Sequence, residues 1–219
     1  MARVNPPYRA DVVGSFLRPQ RLLEAREAFH SGKLSREDLT KLEDECIADL
    51  VEKEKKNGLR AVTDGEFRRA FWHLDFLAAL GGIRHVKAEH WSVHFEGHQP
   101  KAETIVIEDR IHFPKNHPFL EAYDRLKTIA GDYPIKYTIP SPSMLHLICA
   151  VREANYKPTA FYEAHPEKLF EDLADTWVDA MLALYERGCR YLQFDDTSWG
   201  EFCSLEKRAA YAARGIDVD

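Results

Sequence analysis

The stretch LQFDDTSWGEF, Leu192 to Phe202, sets three carboxylates, Asp195, Asp196 and Glu201, directly behind an apolar run. A second run, TDGEFRR, ends another apolar segment in Asp64 and Glu66. Buried strands rarely finish in grouped acids unless something is bound there. Carboxylates in that position can anchor an ammonium group by charge-assisted hydrogen bonds or move a proton. Ordinary turn chemistry is the competing account: Asp-Gly is a common turn and Asp caps helices, a role that suits Asp196. Ser15, in VGSFLRP, offers a hydroxyl that could cap a helix or hold a ligand at its N-terminus.

Other residues invite chemistry with less support. His85, His90, His94 and His98 fall in one alternating segment, where the last three would share a strand face; they lie away from the acid-bearing turns. His73, just after the Glu66 turn, could line a pocket or pack within a helix. Trp72 and Trp199 flank the two acid turns and could wall a pocket, although aromatic core packing is the commoner use. Arg18 and Arg68 could bind an anionic group or pair with surface acids.

These residues need elements to position them. DVVGSF reads as a short first strand, and RPQRLLEAREAFHSG as a helix closed by Gly32. Ser35 can cap the next helix, with Asp38 accepting the reciprocal bond. Leu39, Leu42, Cys46, Ile47, Leu50 and Val51 give it a 3.6-residue stripe, and Gly58 a left-handed stop. LRAVTDGEF is a second buried strand, followed by a helix over about 68–80. Residues 85–113 alternate polar and apolar, the pattern of an inserted antiparallel hairpin. A helix near 117–130, a third strand in YPIKYTIPSP and a helix from Ser143 follow. The long helix from Pro166 carries Leu169, Phe170, Leu173, Trp177, Met181 and Leu184 as core. CRYLQFDD is a fourth buried strand, and SLEKRAAYAARG opens a last helix.

Strand then helix, four times over, specifies an α/β fold with a parallel sheet. VGSFLRP is not the Gly-rich loop of a doubly wound nucleotide binder. Polar or sharply turned strand ends suit the mouth of a (β/α)8 TIM-type barrel, where chemistry gathers at the carboxyl ends of the strands. Four βα units make about the first half of such a barrel. We therefore expect one domain over 1–219, a partial (β/α)8 barrel with the hairpin at 85–113 inserted.

The chain of 219 residues is 45% hydrophobic and 30% charged, with net charge −6. That balance, without a basic block, argues against nucleic acid or an anionic membrane as partner. No apolar run approaches the ~20 residues that span a bilayer, and the N-terminus lacks a signal-peptide core. Cys46, Cys149, Cys189 and Cys203 are far apart, as in a reduced cytoplasmic protein. The expected location is the cytoplasm.

Taken together, VGSFLRP (13–19), TDGEFRR (63–69), PSPSML (140–145) and LQFDD with Glu201 resemble the cobalamin-independent methionine synthase family, in its single-barrel relatives. They recur in the family's order across nearly the whole chain. The resemblance implies a barrel that binds homocysteine or a related thiol amino acid and a catalytic zinc, and that transfers a methyl group from a methylated folate or similar donor. It implies that Val13, Gly14 and Ser15 hold the carboxylate of homocysteine. Glu66 and Asp195 would contact its amino group, and Glu201 the folate pterin. Asp196-Thr197 stands where the family has Glu-Pro. The family's zinc ligands fall downstream of the segment matching Asp195, so the metal is expected from residues beyond 219. Zinc deprotonates a coordinating thiol, and the thiolate is the nucleophile.

Two other readings remain. A metal-free half-barrel could act as an amino-acid-binding or oligomeric assembly module, for instance a homodimer covering open sheet edges. A metal-dependent barrel hydrolase would want an HxH on the first strand, which is missing.

Overall fold

The computed structural model describes residues 5–87 and 103–218. Its elements run α1 (Gln20–His30), α2 (Arg36–Lys56), α3 (Leu74–Leu77), β1 (Gly81–Lys87), β2 (Glu103–His112), α4 (Pro118–Ala130), β3 (Tyr137–Pro140), α5 (Pro142–His146), α6 (Ala160–Ala164), α7 (Glu167–Glu186), β4 (Leu192–Asp195), α8 (Ser198–Phe202) and α9 (Leu205–Ala212). A π-helical turn, Leu147–Val151, continues α5. This is an α/β fold. Among the described residues β1 pairs with β2 and β3 with β4, and no closed barrel is present. No described helix is long and apolar enough to cross a membrane.

The described chain divides into two compact units. The first holds residues 5–72, 118–139 and 182–193. Its α2 is built as the sequence requires. Ser35 Oγ accepts the Asp38 N–H at 3.0 Å and donates to the Asp38 carboxylate at 2.6 Å. Gly58 stops the helix at φ +80°. The buried face of α2 comprises Leu39, Cys46, Ile47, Leu50 and Val51, but also Glu43 and Glu54. The expected second strand is a single parallel bridge, Val62 to Ile135. There the Val62 N–H donates to the Pro134 carbonyl and the Lys136 N–H to the Val62 carbonyl, both at 2.9 Å. Tyr137 then donates to the Tyr191 carbonyl at 3.0 Å.

The expected first strand is not a strand, and the reason is visible in its carbonyls. Side chains take them instead of a neighbouring ladder. Val12 accepts from Lys136 Nζ, Val13 from Gln193 Nε2 at 2.8 Å, and Gly14 from Thr63 Oγ1 at 3.0 Å. The helix expected over 68–80 shrinks to α3 for a similar reason. Arg18 and Arg26 occupy the carbonyls of Glu66, Phe67 and Arg69 that a helical ladder would use.

The second unit holds residues 73–87, 103–117, 140–181 and 194–218. In it β1 and β2 are antiparallel, with Ile83 opposite Ile107 and Val86 opposite Thr104. Asp172 of α7 receives Arg110 of β2 at 2.7 and 3.0 Å and the Tyr162 hydroxyl at 2.8 Å; that hydroxyl accepts the Ile111 N–H at 2.9 Å. Trp177 donates its indole N–H to the Pro140 carbonyl at 2.8 Å. Leu147, Val151 and Tyr211 form a further core with Phe202, Ile216 and Val218 around it.

Two core expectations need correction. β4 is not buried: Phe194 is 43% exposed and its neighbours half-buried. Helix α7 has two apolar faces rather than one. Leu169, Leu173, Trp177, Ala180 and Leu184 are buried, whereas Phe170, Val178, Met181, Leu182 and Tyr185 are exposed. Phe170 and Met181 therefore belong to the open face, which a 3.6-residue count allows because 178, 181, 182 and 185 recur on one side.

Candidate functional site

In the first unit the Glu66 turn is the most constrained feature. Residues 64–67 close a β-turn by the Phe67 N–H to the Asp64 carbonyl at 3.2 Å. Both central residues are left-handed, Gly65 at φ +62° and Glu66 at φ +58°. Gly suits this geometry, whereas a glutamate there is strained by roughly 1–2 kcal/mol. A Cβ on Gly65 would lie 2.4 Å from Leu50 Cδ2 and 2.9 Å from Phe67 Cε1, so any larger residue would have to displace those side chains.

Several contacts hold the strained residue in place. The Glu66 N–H donates to Asp64 Oδ1 at 2.9 Å, and its carbonyl receives Arg18 at 2.9 Å. Its carboxylate Oε1 accepts from Thr138 Oγ1 at 3.0 Å and from Arg69 Nη1 at 3.2 Å. Arg69 is itself fixed by a 2.7 Å bond to the Thr138 carbonyl. Glu66 and Arg69 are both buried.

Gly14 joins this group. Its φ of +145° brings it so close that an added Cβ would meet Thr138 Cγ2 at 2.8 Å and Glu66 Oε1 at 3.8 Å. Phe16 N–H donates to the Gly65 carbonyl at 3.1 Å, joining the two turns. Of the predicted residues, then, Gly14, Glu66 and Arg18 are brought together. Val13, 76% exposed, and Ser15, also exposed, flank Gly14. Arg18 spends its guanidinium on the Glu66 and Arg69 carbonyls, each at 2.9 Å. Arg68 pairs with Asp44 and, at 3.1 Å, with Glu43.

The sequence reading missed the residues beneath the turns. Glu54 Oε1 and Oε2 accept the Thr63 N–H at 3.2 and 3.1 Å. The Thr63 hydroxyl reaches Gly14 and accepts the Gly65 N–H at 3.1 Å. Burial pushes the Glu54 carboxyl up to about 7, against the Thr63 hydrogen bonds and nearby Lys136. Lys136 is buried, bonded to Gln193 at 3.1 Å and paired with Asp11 at 3.2 Å. The available signal was an acid on the apolar face of α2: 43, 47, 50 and 54 share one side.

The second unit places Asp195, Asp196 and Glu201 in different settings. Asp195 is half-buried, and its carbonyl accepts the Ser141 N–H at 2.9 Å. Asp196 caps the turn into α8, taking the Ser198 N–H at 2.8 Å and the Ser143 hydroxyl at 2.6 Å. Burial opposes its charge, but the Ser143 and Ser198 bonds keep its pKa below the usual carboxylate value. Glu201 is buried and takes three bonds, from Arg152 and Lys207 at 2.7 Å and from the Tyr211 hydroxyl at 2.6 Å. Burial would raise its pKa, but those partners hold it at about 2. His73 begins α3, and burial with the Arg152 charge lowers its pKa to about 4, leaving it neutral. Trp199 lies on α8, 72% exposed.

Among the described residues no group of three or more His, Cys, Asp or Glu could hold a metal ion. His85 pairs with Glu103 at 3.2 Å in the β1–β2 pair; His90, His94 and His98 lie outside the described residues.

Fold and site together define an α/β protein with polar, tightly turned segments following its strands. No family model matches the chain. It is 42% identical over 220 residues to the uncharacterized protein YxjG of Bacillus subtilis, covering 100% of this chain and 56% of that protein. A crystal structure of the putative vitamin-B12 independent methionine synthase of Listeria monocytogenes matches with a TM-score of 0.74 and 38% identity, covering 95% of this chain and 59% of that one. The methionine synthase of Sulfurisphaera tokodaii is 27% identical over 198 residues, 87% of this chain and 52% of that protein. The chain is thus similar in sequence and fold to proteins described as cobalamin-independent methionine synthases, and it spans little more than half the length of the curated relatives it matches.

Proposed function

We propose that the chain carries the amino-acid-binding part of a methionine-synthase-like S-methyltransferase. The observation that carries this reading is Glu66, a buried carboxylate in a left-handed conformation that glycine would adopt more easily, held by Thr138 and Arg69 beside the Gly14 turn. Strain of this kind persists where surrounding contacts over-determine it, and it concentrates at ligand sites. In this reading Val13, Gly14 and Ser15 present backbone amides and a hydroxyl to the α-carboxylate of homocysteine or a related thiol amino acid, and Glu66 receives its ammonium. Arg69 and Thr138 keep the Glu66 carboxylate aimed, and Arg18 braces its backbone. Asp195 and Glu201 keep, within their own unit, the roles that the resemblance gives them toward the amino group and the methyl donor. Glu201 does so while its bonds to Arg152, Lys207 and Tyr211 hold α8 and α9 together.

The full barrel, the zinc and the folate-type donor belong to the same proposal, with zinc ligands expected beyond residue 219. When bound, zinc would supply a thiolate nucleophile. Calorimetric titration of the purified chain with L-homocysteine and L-methionine tests the amino-acid site. Saturable binding that Glu66→Gln abolishes is the expected result, and no heat from either ligand would sink the reading. Native mass spectrometry of the protein isolated from its source, reporting chain mass and metal together, tests the zinc: one zinc on a chain heavier than 25.3 kDa is the expected result, and a heavier chain without metal would sink it.

A second reading, a metal-free amino-acid-binding or assembly module that forms a homodimer, draws on the exposed apolar face of α7. Sedimentation equilibrium separates the two: a dimer that Val178→Glu dissociates, with no zinc bound, would favour the module.

A further inference from the structure

Beneath the proposed amino-acid site lies a buried connection that the family resemblance does not mention. Thr63 sits between three partners: it is 1% exposed, and its single hydroxyl serves two turns at once. The hydroxyl lies 3.0 Å from the Gly14 carbonyl and 3.3 Å from Glu54 Oε1, and it accepts the Gly65 N–H at 3.1 Å. Glu54, 3% exposed, sits on the buried face of α2 and grips the Thr63 N–H with both oxygens.

We propose that Glu54 is a positioning residue for the amino-acid site, acting through Thr63 to lock the Gly14 turn to the Gly65–Glu66 turn. The proposal rests on the reading of Gly14 and Glu66 as ligand contacts.

The mechanism follows from counting protons. A hydroxyl has one to give. An ionised Glu54 offers an acceptor that competes with the Gly14 carbonyl for it. A protonated Glu54 becomes a donor, and its O–H can point at Thr63 Oγ1. The hydroxyl proton is then committed to Gly14, and the chain Glu54 to Thr63 to Gly14 runs in one direction. The Gly65 N–H keeps the remaining lone pair in both states. Charged groups facing Glu54 are Asp64 from the turn and Lys136 from the strand side, the latter paired with Asp11. Burial brings the exchange into the neutral range, near 7. The protonated state is the one that pins both turns, so ligand affinity should fall as pH rises through that range.

The test uses L-methionine, which has no group titrating between pH 5.5 and 8, and compares the wild-type chain with Glu54→Gln. Glutamine supplies a permanent donor and keeps an acceptor for the Thr63 N–H. Calorimetry should show wild-type affinity about three- to tenfold weaker at pH 8 than at pH 6, the size of one hydrogen bond. Glu54→Gln should bind near the wild-type pH 6 affinity at both. Hydrogen exchange of the Gly65 and Phe16 amides, corrected for intrinsic rate, is read without ligand. Wild type should lose protection across the same range and the variant should not. If Glu54→Gln leaves the pH profile of exchange unchanged, Glu54 does not position the turns and the proposal is overturned. If L-methionine fails to bind while the exchange pattern holds, the linkage stands and the amino-acid reading falls instead.

Discussion

Replacing Glu66 by Ala and, separately, by Gly isolates the backbone strain at the centre of the proposed site. Both changes delete the carboxylate, so both abandon the 3.2 Å pair with Arg69 and the 3.0 Å bond from Thr138. Breaking a buried pair in this way costs about 3–5 kcal/mol, because a buried guanidinium loses its counter-charge. Arg69 keeps its bonds to the Thr138 and Trp72 carbonyls, at 2.7 and 3.3 Å, which places the loss at the lower end. The difference between the two variants is the informative quantity. Alanine keeps φ at +58° against its preference, at a cost of roughly 1–2 kcal/mol. Glycine relieves that strain but gains freedom in the unfolded chain, worth about 0.4–1 kcal/mol against it. Glu66→Gly should therefore be more stable than Glu66→Ala by about 0.5–1 kcal/mol, the reverse of the usual order. Urea unfolding followed by tryptophan fluorescence measures it as a difference in midpoint at equal slope. An alanine variant as stable as the glycine variant, or more so, would show that the turn relaxes freely and that Glu66 is not held under strain.

Gly14→Ala should destabilise the chain by about 1–3 kcal/mol and abolish L-methionine binding, because the new Cβ meets Thr138 Cγ2 at 2.8 Å; urea unfolding and calorimetry read the two effects. Glu54→Gln should also change how stability depends on pH. The native state binds a proton that the unfolded state has lost between pH 4.5 and about 7, so wild-type stability from this group is present below that window and lost as pH rises through it. The variant should thus gain on wild type by roughly 2 kcal/mol from pH 5 to pH 8, after allowing for residual screening, and parallel curves would refute it. His73 and His117, both held near 4 by burial, act in the opposite sense but equally in both proteins, so they cancel in the difference. Glu201 has the reverse sign from Glu54: its contribution is present above pH 4.5 and lost as pH falls toward about 2. Acid titration of wild type should show that loss, and Glu201→Gln should show a flatter curve over the same window.

Much of this protein could be read from its chain. Local rules placed α2 between its Ser35 cap and its Gly58 stop, because a cap and a left-handed glycine act over a few residues and need no partner. The alternation of ETIVIEDRIHF and the helical stripe of PFLEAYDRLKTIA likewise follow from side-chain period, and β2 and α4 occupy those stretches. Motif spacing singled out Gly14 and Glu66, and the resemblance to methionine synthases rested in part on the same turns.

Tertiary structure decided the rest, wherever a group's partner lies far away in sequence. Residues 11–16 look like a strand by composition. Their carbonyls instead go to Lys136, Gln193 and Thr63, 49 to 180 residues distant. The helix expected after Glu66 is cut short because Arg18 and Arg26 claim its carbonyls. Period alone could not divide the apolar residues of α7 into a covered and an open face, since both faces satisfy the same spacing. Nor could it tell that Glu43 and Glu54 lie inside: an acid on an apolar stripe reads as an interruption until a distant arginine or threonine is seen to meet it. What the sequence determined was which residues could do chemistry. Which of them share a turn, and what holds that turn in a conformation a glutamate resists, was settled by contacts that only the folded chain makes.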